Sequence, residues 1–255
     1  MAISLESLKQ STTKSSYLAT IYGLEGVGKT TFSSQFESPV FMQTEDGLNI
    51  PGVALWEIKS YQDVIEGINV LYSEDHSFKT LIIDSVTAFE PMLHAQLCKD
   101  ENATSIEKIG GGFAKYRVES LPYWETVLKG LTALTKRGIS VLIIGHSQVK
   151  EVKPPEVEPY LKYELDLINP KAANLLYRYS DIVGFANYKT MTSSTGEGVK
   201  KSTRGIGTGE RVLHLEERPA HHAKNRFNLP AEMPFDCQSF NESIKAQQNQ
   251  PTTNQ

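Results

Sequence analysis

Apolar and polar residues alternate in blocks along most of the chain. Short runs rich in β-branched and aromatic residues lack strict alternation, a pattern typical of parallel strands buried on both faces. These predicted strands lie at residues 17–22, 39–43, 53–58, 80–84 and 141–144. Apolar residues recur every three or four positions in the segments between them, which predicts helices at residues 61–72, 86–98 and 123–136. The order of the elements predicts an α/β fold with a mostly parallel central sheet flanked by helices.

Two polar stretches interrupt this pattern. Residues 99–121 include three consecutive glycines and are expected to form a mobile loop. Residues 151–159 contain three prolines, which disfavour a helix or a central strand. We expect them to begin a second long loop that reaches residue 170.

The last third of the chain predicts one helix and two strands. The helix is expected at residues 172–179, and the strands at 182–188 and 211–215. The segment 190–209 is rich in Gly, Ser, Thr and Lys. It is therefore expected to be the flexible tip of an antiparallel C-terminal hairpin.

Composition indicates one α/β domain with loose ends. With 255 residues, 39% of them hydrophobic, the chain can bury a core over residues 16–240. Polar residues 1–15 predict a flexible arm, and residues 241–255 predict a disordered tail. Cys98 and Cys237 are too few for a disulfide framework, and no leader or long apolar span is present. We therefore expect a cytoplasmic protein without a membrane partner.

The residues after the first strand fill every fixed position of the phosphate-binding pattern G-x-x-x-x-G-K-[S/T]. Glycines in such a loop let successive backbone N–H groups point at the phosphates of a nucleotide. The lysine adds a mobile charge, and the threonine hydroxyl can bind Mg²⁺. The pattern predicts that ATP and Mg²⁺ bind at Gly23, Gly26, Val27, Gly28, Lys29, Thr30 and Thr31.

Carboxylates follow two of the predicted strands. Asp84 ends the strand at 80–84 and is expected to hold Mg²⁺ together with Thr30, although an acid at this position can also cap a helix. Glu45 is expected to position or deprotonate the attacking water, because its strand ends at the same edge of the sheet. Asp46 is the alternative base.

Polar residues also follow the strand at 141–144. His146 or Gln148 is expected either to sense the terminal phosphate or to cap the strand end. The sequence Gly-His-Ser-Gln around His146 resembles the nucleophile motif of esterases, but Val149 stands where that motif requires glycine. The side chain that neutralises charge on the phosphates must come from a lysine or from one of the arginines Arg117, Arg137, Arg178, Arg204, Arg211, Arg218 and Arg226.

With these residues placed, the chain resembles the ATPase core of the RecA-type recombinases. More narrowly, it is similar to the bacteriophage AAA-family nucleotide-binding proteins that act as RecA-core single-strand annealing proteins. The resemblance spans roughly residues 17–230. It depends on the stretches 23–31, 41–48, 81–86 and 223–227.

The resemblance implies a P-loop NTPase fold of RecA type in which Glu45 is the catalytic base. It also implies that Lys224 and Arg226 reach the γ-phosphate of a neighbouring protomer, so that activity depends on self-association into an oligomer or short filament. In such proteins the stretches 99–121 and 151–170 would correspond to two DNA-binding loops.

The first of these stretches has the composition expected for single-stranded DNA, because aromatic rings can stack on bases and cations can contact phosphates. The second contains five acidic residues between 151 and 166, which departs from the pattern of the family. A single-strand-binding protein is a further partner that the resemblance suggests, in the host cytoplasm if a phage encodes the chain. The DNA-binding residues implied are Phe113, Lys115, Tyr116 and Arg117.

Two main functional hypotheses follow. The leading one is a DNA-stimulated ATPase that binds single strands and promotes annealing or strand exchange in phage-type recombination. The alternative is a nucleotide-switched regulatory or assembly ATPase without a nucleic-acid partner, which the net charge of −4 and the pI near 5.9 favour. A small-molecule phosphotransferase would need an arginine-rich lid, and no arginine precedes Arg117.

Overall fold

The computed structural model describes residues 15–46, 50–195 and 202–249. A 3-10 helix covers Ile106–Gly111, and the other elements are numbered in chain order. The strands are β1 Leu18–Gly23, β2 Pro39–Gln43, β3 Ala54–Glu57, β4 Thr80–Asp84, β5 Ser140–Val152, β6 Tyr160–Leu165, β7 Ile182–Thr195, β8 Ser202–His214, β9 Lys224–Asn225 and β10 Glu232–Pro234. The helices are α1 Lys29–Ser34, α2 Tyr61–Ser73, α3 Val86–Asp100, α4 Tyr116–Glu119, α5 Leu121–Lys136, α6 Pro170–Tyr179 and α7 Cys237–Gln248.

A single mixed sheet organises these elements. Its strand order is β10-β8-β7-β1-β5-β4-β2-β3, with β6 paired to β5 and β9 paired to β7. The pairs from β7 to β3 are parallel, and the added strands β6, β8, β9 and β10 pair antiparallel. The predicted α/β fold with a mostly parallel sheet and a C-terminal antiparallel hairpin is confirmed.

Helices cover both faces of the sheet, which explains why the central strands show no polar alternation. In β4, Leu81 and Ile83 pack into one apolar cluster, whereas Ile82 between them packs into the other. The first cluster lies under α2, α3, α5 and α6, and the second lies under α1 and α7. Each face is therefore buried against helices, as parallel strands require.

Both polar stretches are more regular than the sequence predicts. The loop expected at 99–121 contains the 3-10 helix and α4, held by the buried side chains of Ile109 and Tyr116. The loop expected at 151–170 is largely a hairpin, because β5 extends to Val152 and pairs with β6. Its prolines lie in or beside the tip between the two strands, where no ladder hydrogen bond is lost.

The C-terminal boundaries also differ from the expected ones. Strands β7 and β8 extend through most of the segment expected to be a flexible tip, although residues 196–201 lie outside the described part of the chain. Helix α7 continues past the predicted domain boundary at residue 240, because Phe240 and Ile244 are buried against the sheet. Only Cys237, Phe240 and Ile244 of α7 are buried, and the polar residues around them hide the helical spacing in the sequence. Residues 1–14 and 250–255 of the predicted arm and tail also lie outside the described residues.

Candidate nucleotide-binding site

Parallel pairing brings the carboxyl ends of the central strands to one edge of the sheet. Gly23 at the end of β1 is in register with His146 of β5, and Gln43 at the end of β2 is in register with Asp84 of β4. Glu45 follows β2 by two residues. The residues that the sequence predicts for phosphate, metal and water therefore meet at this edge.

The phosphate-binding loop runs from the end of β1 into α1. Gly26 and Gly28 have φ angles of 71° and 96°, a region that residues with a side chain rarely adopt. At Gly23, a Cβ atom would lie 2.1 Å from the carbonyl oxygen of Ala186 on β7. The loop thus needs glycine at Gly26 and Gly28 for backbone conformation and at Gly23 for close approach to the neighbouring strand.

Lys29 is buried inside this loop, with 7% of its surface exposed. Its ammonium donates to the carbonyl oxygens of Gly23 at 3.0 Å and Leu24 at 2.8 Å. Burial lowers the pKa of Lys29, while the nearby carboxylates of Asp84, Glu45 and Glu25 oppose that shift. A phosphate anion is a stronger hydrogen-bond partner for this cation than two neutral carbonyls. The ammonium of Lys29 can therefore leave the carbonyls and contact the phosphates of a bound nucleotide.

Thr30 and Asp84 form the predicted metal pair. The Thr30 hydroxyl donates to Asp84 Oδ2 at 2.7 Å, and burial raises the pKa of Asp84. A hydroxyl and a carboxylate are hard oxygen donors, which suits Mg²⁺ held additionally by phosphate and water. Within the described residues no cluster of three or more His, Cys, Asp or Glu side chains could hold a metal by itself. The donor set therefore fits an ion that arrives with the nucleotide.

Ser85 performs the capping role that the sequence left open for this position. Its hydroxyl oxygen accepts from the backbone N–H of Ala88 at 3.3 Å in the first turn of α3. The side chain of Asp84 is thereby left for Thr30. The helix-cap role thus falls on Ser85, and the metal role of Asp84 stays a prediction.

Glu45 lies in the site, held by two side chains. Its carboxylate accepts from the hydroxyl of Ser85 and from His146 Nε2, the latter at 3.1 Å. The hydrogen bond from His146 is the largest cause that lowers the pKa of Glu45, and burial opposes it. Asp46, the alternative base, is exposed. The carboxylate that the structure orients is that of Glu45.

The structure separates the two candidate phosphate sensors. His146 contacts Glu45, and its backbone N–H donates to the Thr87 hydroxyl at 3.0 Å. The side-chain amide of Gln148 instead donates to the carbonyl oxygens of Leu165 and Leu167. Of the two side chains, only that of His146 touches Glu45; Gln148 joins β5 to the segment after β6.

The implied DNA-binding residues do not form one exposed set. Phe113 is 98% exposed and has a φ angle of 55°, and Lys115 and Arg117 are also exposed. Tyr116 is buried, packs edge-on against His94 and lies under the guanidinium of Arg117. The stacking role implied for Tyr116 therefore conflicts with its position, because the segment buries one of its aromatic rings to anchor itself.

Lys224 and Arg226 lie near the end of the sheet opposite to the phosphate loop. Lys224 pairs with Val183 at the amino end of β7, whereas the loop follows the carboxyl end of β1. The ammonium of Lys224 donates to carbonyl oxygens at the end of α6, those of Tyr177, Arg178 and Ser180. Arg226 is half-exposed and lies 3.4 Å from Asp181. Neither cation serves the nucleotide site of its own chain.

Among the described residues of the C-terminal hairpin, the side chains of Tyr188 and Arg211 donate hydrogen bonds to the loop. Of these two, only Arg211 is among the residues considered from sequence. Tyr188 on β7 donates to the Gly26 carbonyl at 3.2 Å, and Arg211 on β8 donates to the Val27 carbonyl at 3.4 Å. No sequence pattern identifies Tyr188, because the long-range pairing of β7 with β1 creates its contact.

The pairing of Glu45 with His146 predicts a shifted histidine titration. In the ligand-free protein we expect His146 to titrate above the usual 6.5 or so, since the hydrogen bond and charge of Glu45 favour the imidazolium. In Glu45→Gln the pKa should fall below that value, because burial and Lys29 both lower it. NMR titration measures both. His94, whose pKa burial lowers, serves as the unchanged control. Equal His146 values in the two proteins would contradict the pairing.

No helix among the described residues combines the length and apolar character needed to cross a membrane. The chain is similar to the SPbeta prophage-derived uncharacterized protein YorG of Bacillus subtilis (strain 168), with 27% identity over 215 residues. The similarity covers 82% of this chain and 59% of that protein, so the chain spans little more than half the length of this relative.

The family model described as AAA domain matches residues 15–227, which include every strand that borders the nucleotide site. The matched region begins before the phosphate loop and ends after Arg226. With a phosphate loop of the required geometry inside that region, the chain belongs to the AAA domain family of P-loop nucleotide-binding proteins.

Proposed function

We propose that this chain hydrolyses ATP in a Mg²⁺-dependent reaction. The observation that carries the proposal is the position of the Glu45 carboxylate, which Ser85 and His146 hold at the same sheet edge as the Thr30–Asp84 pair. Hydrolysis needs a group that orients water in line with the terminal phosphate. Glu45 supplies that group, and Lys29 supplies the neighbouring positive charge.

The roles of the residues follow from their contacts. With a nucleotide bound, Lys29 would exchange its two carbonyl partners for phosphate oxygens, and Thr30 and Asp84 would hold Mg²⁺. When bound, Mg²⁺ neutralises charge on the phosphate oxygens. Glu45 orients the attacking water and accepts its proton. In the ligand-free protein the hydrogen bond from His146 lowers the pKa of Glu45, and Ser85 and His146 together fix the orientation of its carboxylate.

Three substitutions test this assignment. Lys29→Ala should abolish ATP binding or turnover, whereas Glu45→Gln should keep ATP affinity and slow hydrolysis by about 10²–10⁴-fold, the usual contribution of a general base. Asp46→Asn, at the exposed neighbour, is the matched control and should remain active. Phosphate release and fluorescent-nucleotide binding measure the two properties. A fully active Glu45→Gln protein would contradict the role of Glu45.

We further propose that single-stranded DNA binds at the segment around Phe113 and stimulates hydrolysis, in support of annealing or strand exchange. The ring of Phe113 is 98% exposed and so available to stack on a base, and Lys115 and Arg117 add exposed cations beside it that can contact phosphates. The relative is prophage-derived, which agrees with a role in phage-type recombination.

The DNA proposal predicts that Phe113→Ala weakens binding of an oligothymidine about 10-fold, since one stacked base contributes about 1–3 kcal/mol. Tyr72→Ala is the control, because Tyr72 is an aromatic residue that is 48% exposed elsewhere on the surface. Fluorescence anisotropy at low salt and ATP hydrolysis with and without DNA measure the effect. Wild-type protein that neither binds DNA nor responds to it would instead favour the nucleotide-switched regulatory ATPase.

The third element of the proposal is that the active form is an oligomer in which Lys224 and Arg226 serve the nucleotide of a neighbour. Their place at the opposite end of the sheet from their own loop supports a contact in trans. In such a contact, Arg226 would leave Asp181, and Lys224 would leave the carbonyls that end α6. Arg226, with one partner at 3.4 Å, is the easier of the two to release.

Subunit mixing tests the trans contact. Arg226→Ala and Lys29→Ala proteins should each be inactive alone, and their mixture should recover activity, because one chain supplies the loop and the other the arginine. Mixing Arg226→Ala with the double variant Lys29→Ala/Arg226→Ala is the control and should recover none. Absence of recovery in the first mixture, with both proteins folded and assembled, would refute the role of Arg226 in trans.

A further inference from the structure

The outer side of the phosphate loop is held by the C-terminal hairpin. The carbonyl oxygens of Gly23 and Leu24 accept from Lys29 inside the loop, whereas those of two later residues accept from the hairpin. These two carbonyls, those of Gly26 and Val27, accept from Tyr188 Oη at 3.2 Å and from Arg211 Nη1 at 3.4 Å.

The two donors form one cross-strand pair. Tyr188 of β7 and Arg211 of β8 are directly opposite in register, and the register shifts immediately after Tyr188. At this irregularity the backbone N–H of Tyr188 donates to the side chain of Asn187 at 2.8 Å. Such bulges re-aim side chains, and here both aim at the loop.

The backbone around Arg211 is fixed on its other side. The N–H of Phe235 donates to the Arg211 carbonyl at 3.0 Å, and the next two residues, Val212 and Leu213, are buried in the core. The guanidinium also lies directly over Gly28, where a Cβ atom would come within 2.5 Å of Nη1. The strand thus places the cation beside Gly28, which has the larger positive φ angle of the two loop glycines Gly26 and Gly28.

We propose that Tyr188 and Arg211 are positioning residues that keep the phosphate loop in its nucleotide-binding conformation. This inference rests on the proposed nucleotide site and adds to it two residues of the hairpin that support the loop. A loop that spends part of its time in other conformations binds with an affinity reduced by the fraction that is competent. The pair should therefore affect the binding of any nucleotide with a β-phosphate, ATP and ADP alike, and should affect the chemical step little.

This effect differs from that of a charge-neutralising arginine, the role for which Arg211 was also a candidate from sequence. Such an arginine acts on charge that develops at the γ-phosphate, so its loss lowers kcat and leaves ADP affinity unchanged. A positioning residue raises KM for ATP and Kd for ADP together. The two roles are separated by one set of measurements.

The experiment compares Tyr188→Phe, Arg211→Ala and Arg211→Lys with wild-type protein. We expect ATP and ADP affinities to fall about 10-fold in Arg211→Ala and about 3-fold in Tyr188→Phe, with partial recovery in Arg211→Lys and kcat within about 2-fold of wild type. Lys189→Ala removes a cation from the same hairpin, where it is near Glu210 and Glu232, and is the matched control. Fluorescent-nucleotide titration, steady-state kinetics and thermal unfolding provide the readouts.

The outcomes distinguish this inference from the proposed function. Affinities equal to wild type in both Tyr188→Phe and Arg211→Ala would overturn it, as would a loss confined to kcat. A wild-type protein that binds neither ATP nor ADP would instead refute the nucleotide site itself. A wild-type protein that binds both but does not hydrolyse ATP would refute only the proposed hydrolysis, and the affinity measurements on the hairpin would still decide the role of the pair.

Discussion

The site depends on the parallel register of the four strands β1, β5, β4 and β2. Parallel pairing aligns their carboxyl ends, so that Gly23 lies beside His146 and Gln43 beside Asp84. A shift of one residue in any of these pairs would turn apolar side chains away from their helices and move the polar residues out of reach of each other. The burial of both faces stabilises the sheet, and it also fixes the positions of the polar side chains at the carboxyl ends of the strands.

The titratable groups at this edge interact with one another before any nucleotide binds. The carboxylates of Asp84 and Glu45 lie among the ammonium of Lys29 and the imidazole of His146, and each shifts the pKa of its neighbours. In the proposed mechanism, nucleotide and Mg²⁺ would add charges of both signs, so that Lys29 and Thr30 could change partners without leaving an unpaired charge in a buried place. The hydrogen bonds to Glu45 come from Ser85 and His146, which do not change partners in this way. The orientation of Glu45 therefore does not depend on Lys29 or Thr30.

Two antiparallel hairpins, β5–β6 and β7–β8, extend the parallel sheet beyond the edge at which the site lies. Strand β5 continues past His146 into the hairpin with β6, and β7 continues past the strand end beside Gly23 into the hairpin with β8. The second hairpin carries Tyr188 and Arg211 to the outer side of the phosphate loop. Strands that extend beyond the sheet edge thus supply contacts that a minimal phosphate loop does not contain.

The sequence by itself determined the α/β fold and the phosphate loop, and it predicted the residues around that loop, because these depend on local information. Runs of buried residues identify strands, the glycine-lysine-threonine pattern identifies the loop, and an acid after a buried strand identifies Asp84. The choice of Glu45 over Asp46 could be proposed from chain order, but only its contacts with Ser85 and His146 distinguish the two side chains.

Only the tertiary structure decided the features that require residues distant in sequence to meet. Pairing with β5 made a strand of residues 160–165, and packing against the sheet made α7 part of the core, although local composition favoured a loop and a tail. Burial removed the ring of Tyr116 from the surface, while pairing in the sheet placed Tyr188 and Arg211 on the loop. The physical reason is that burial and strand pairing are long-range terms, which outweigh the weak local preferences of polar, glycine-rich and proline-rich segments.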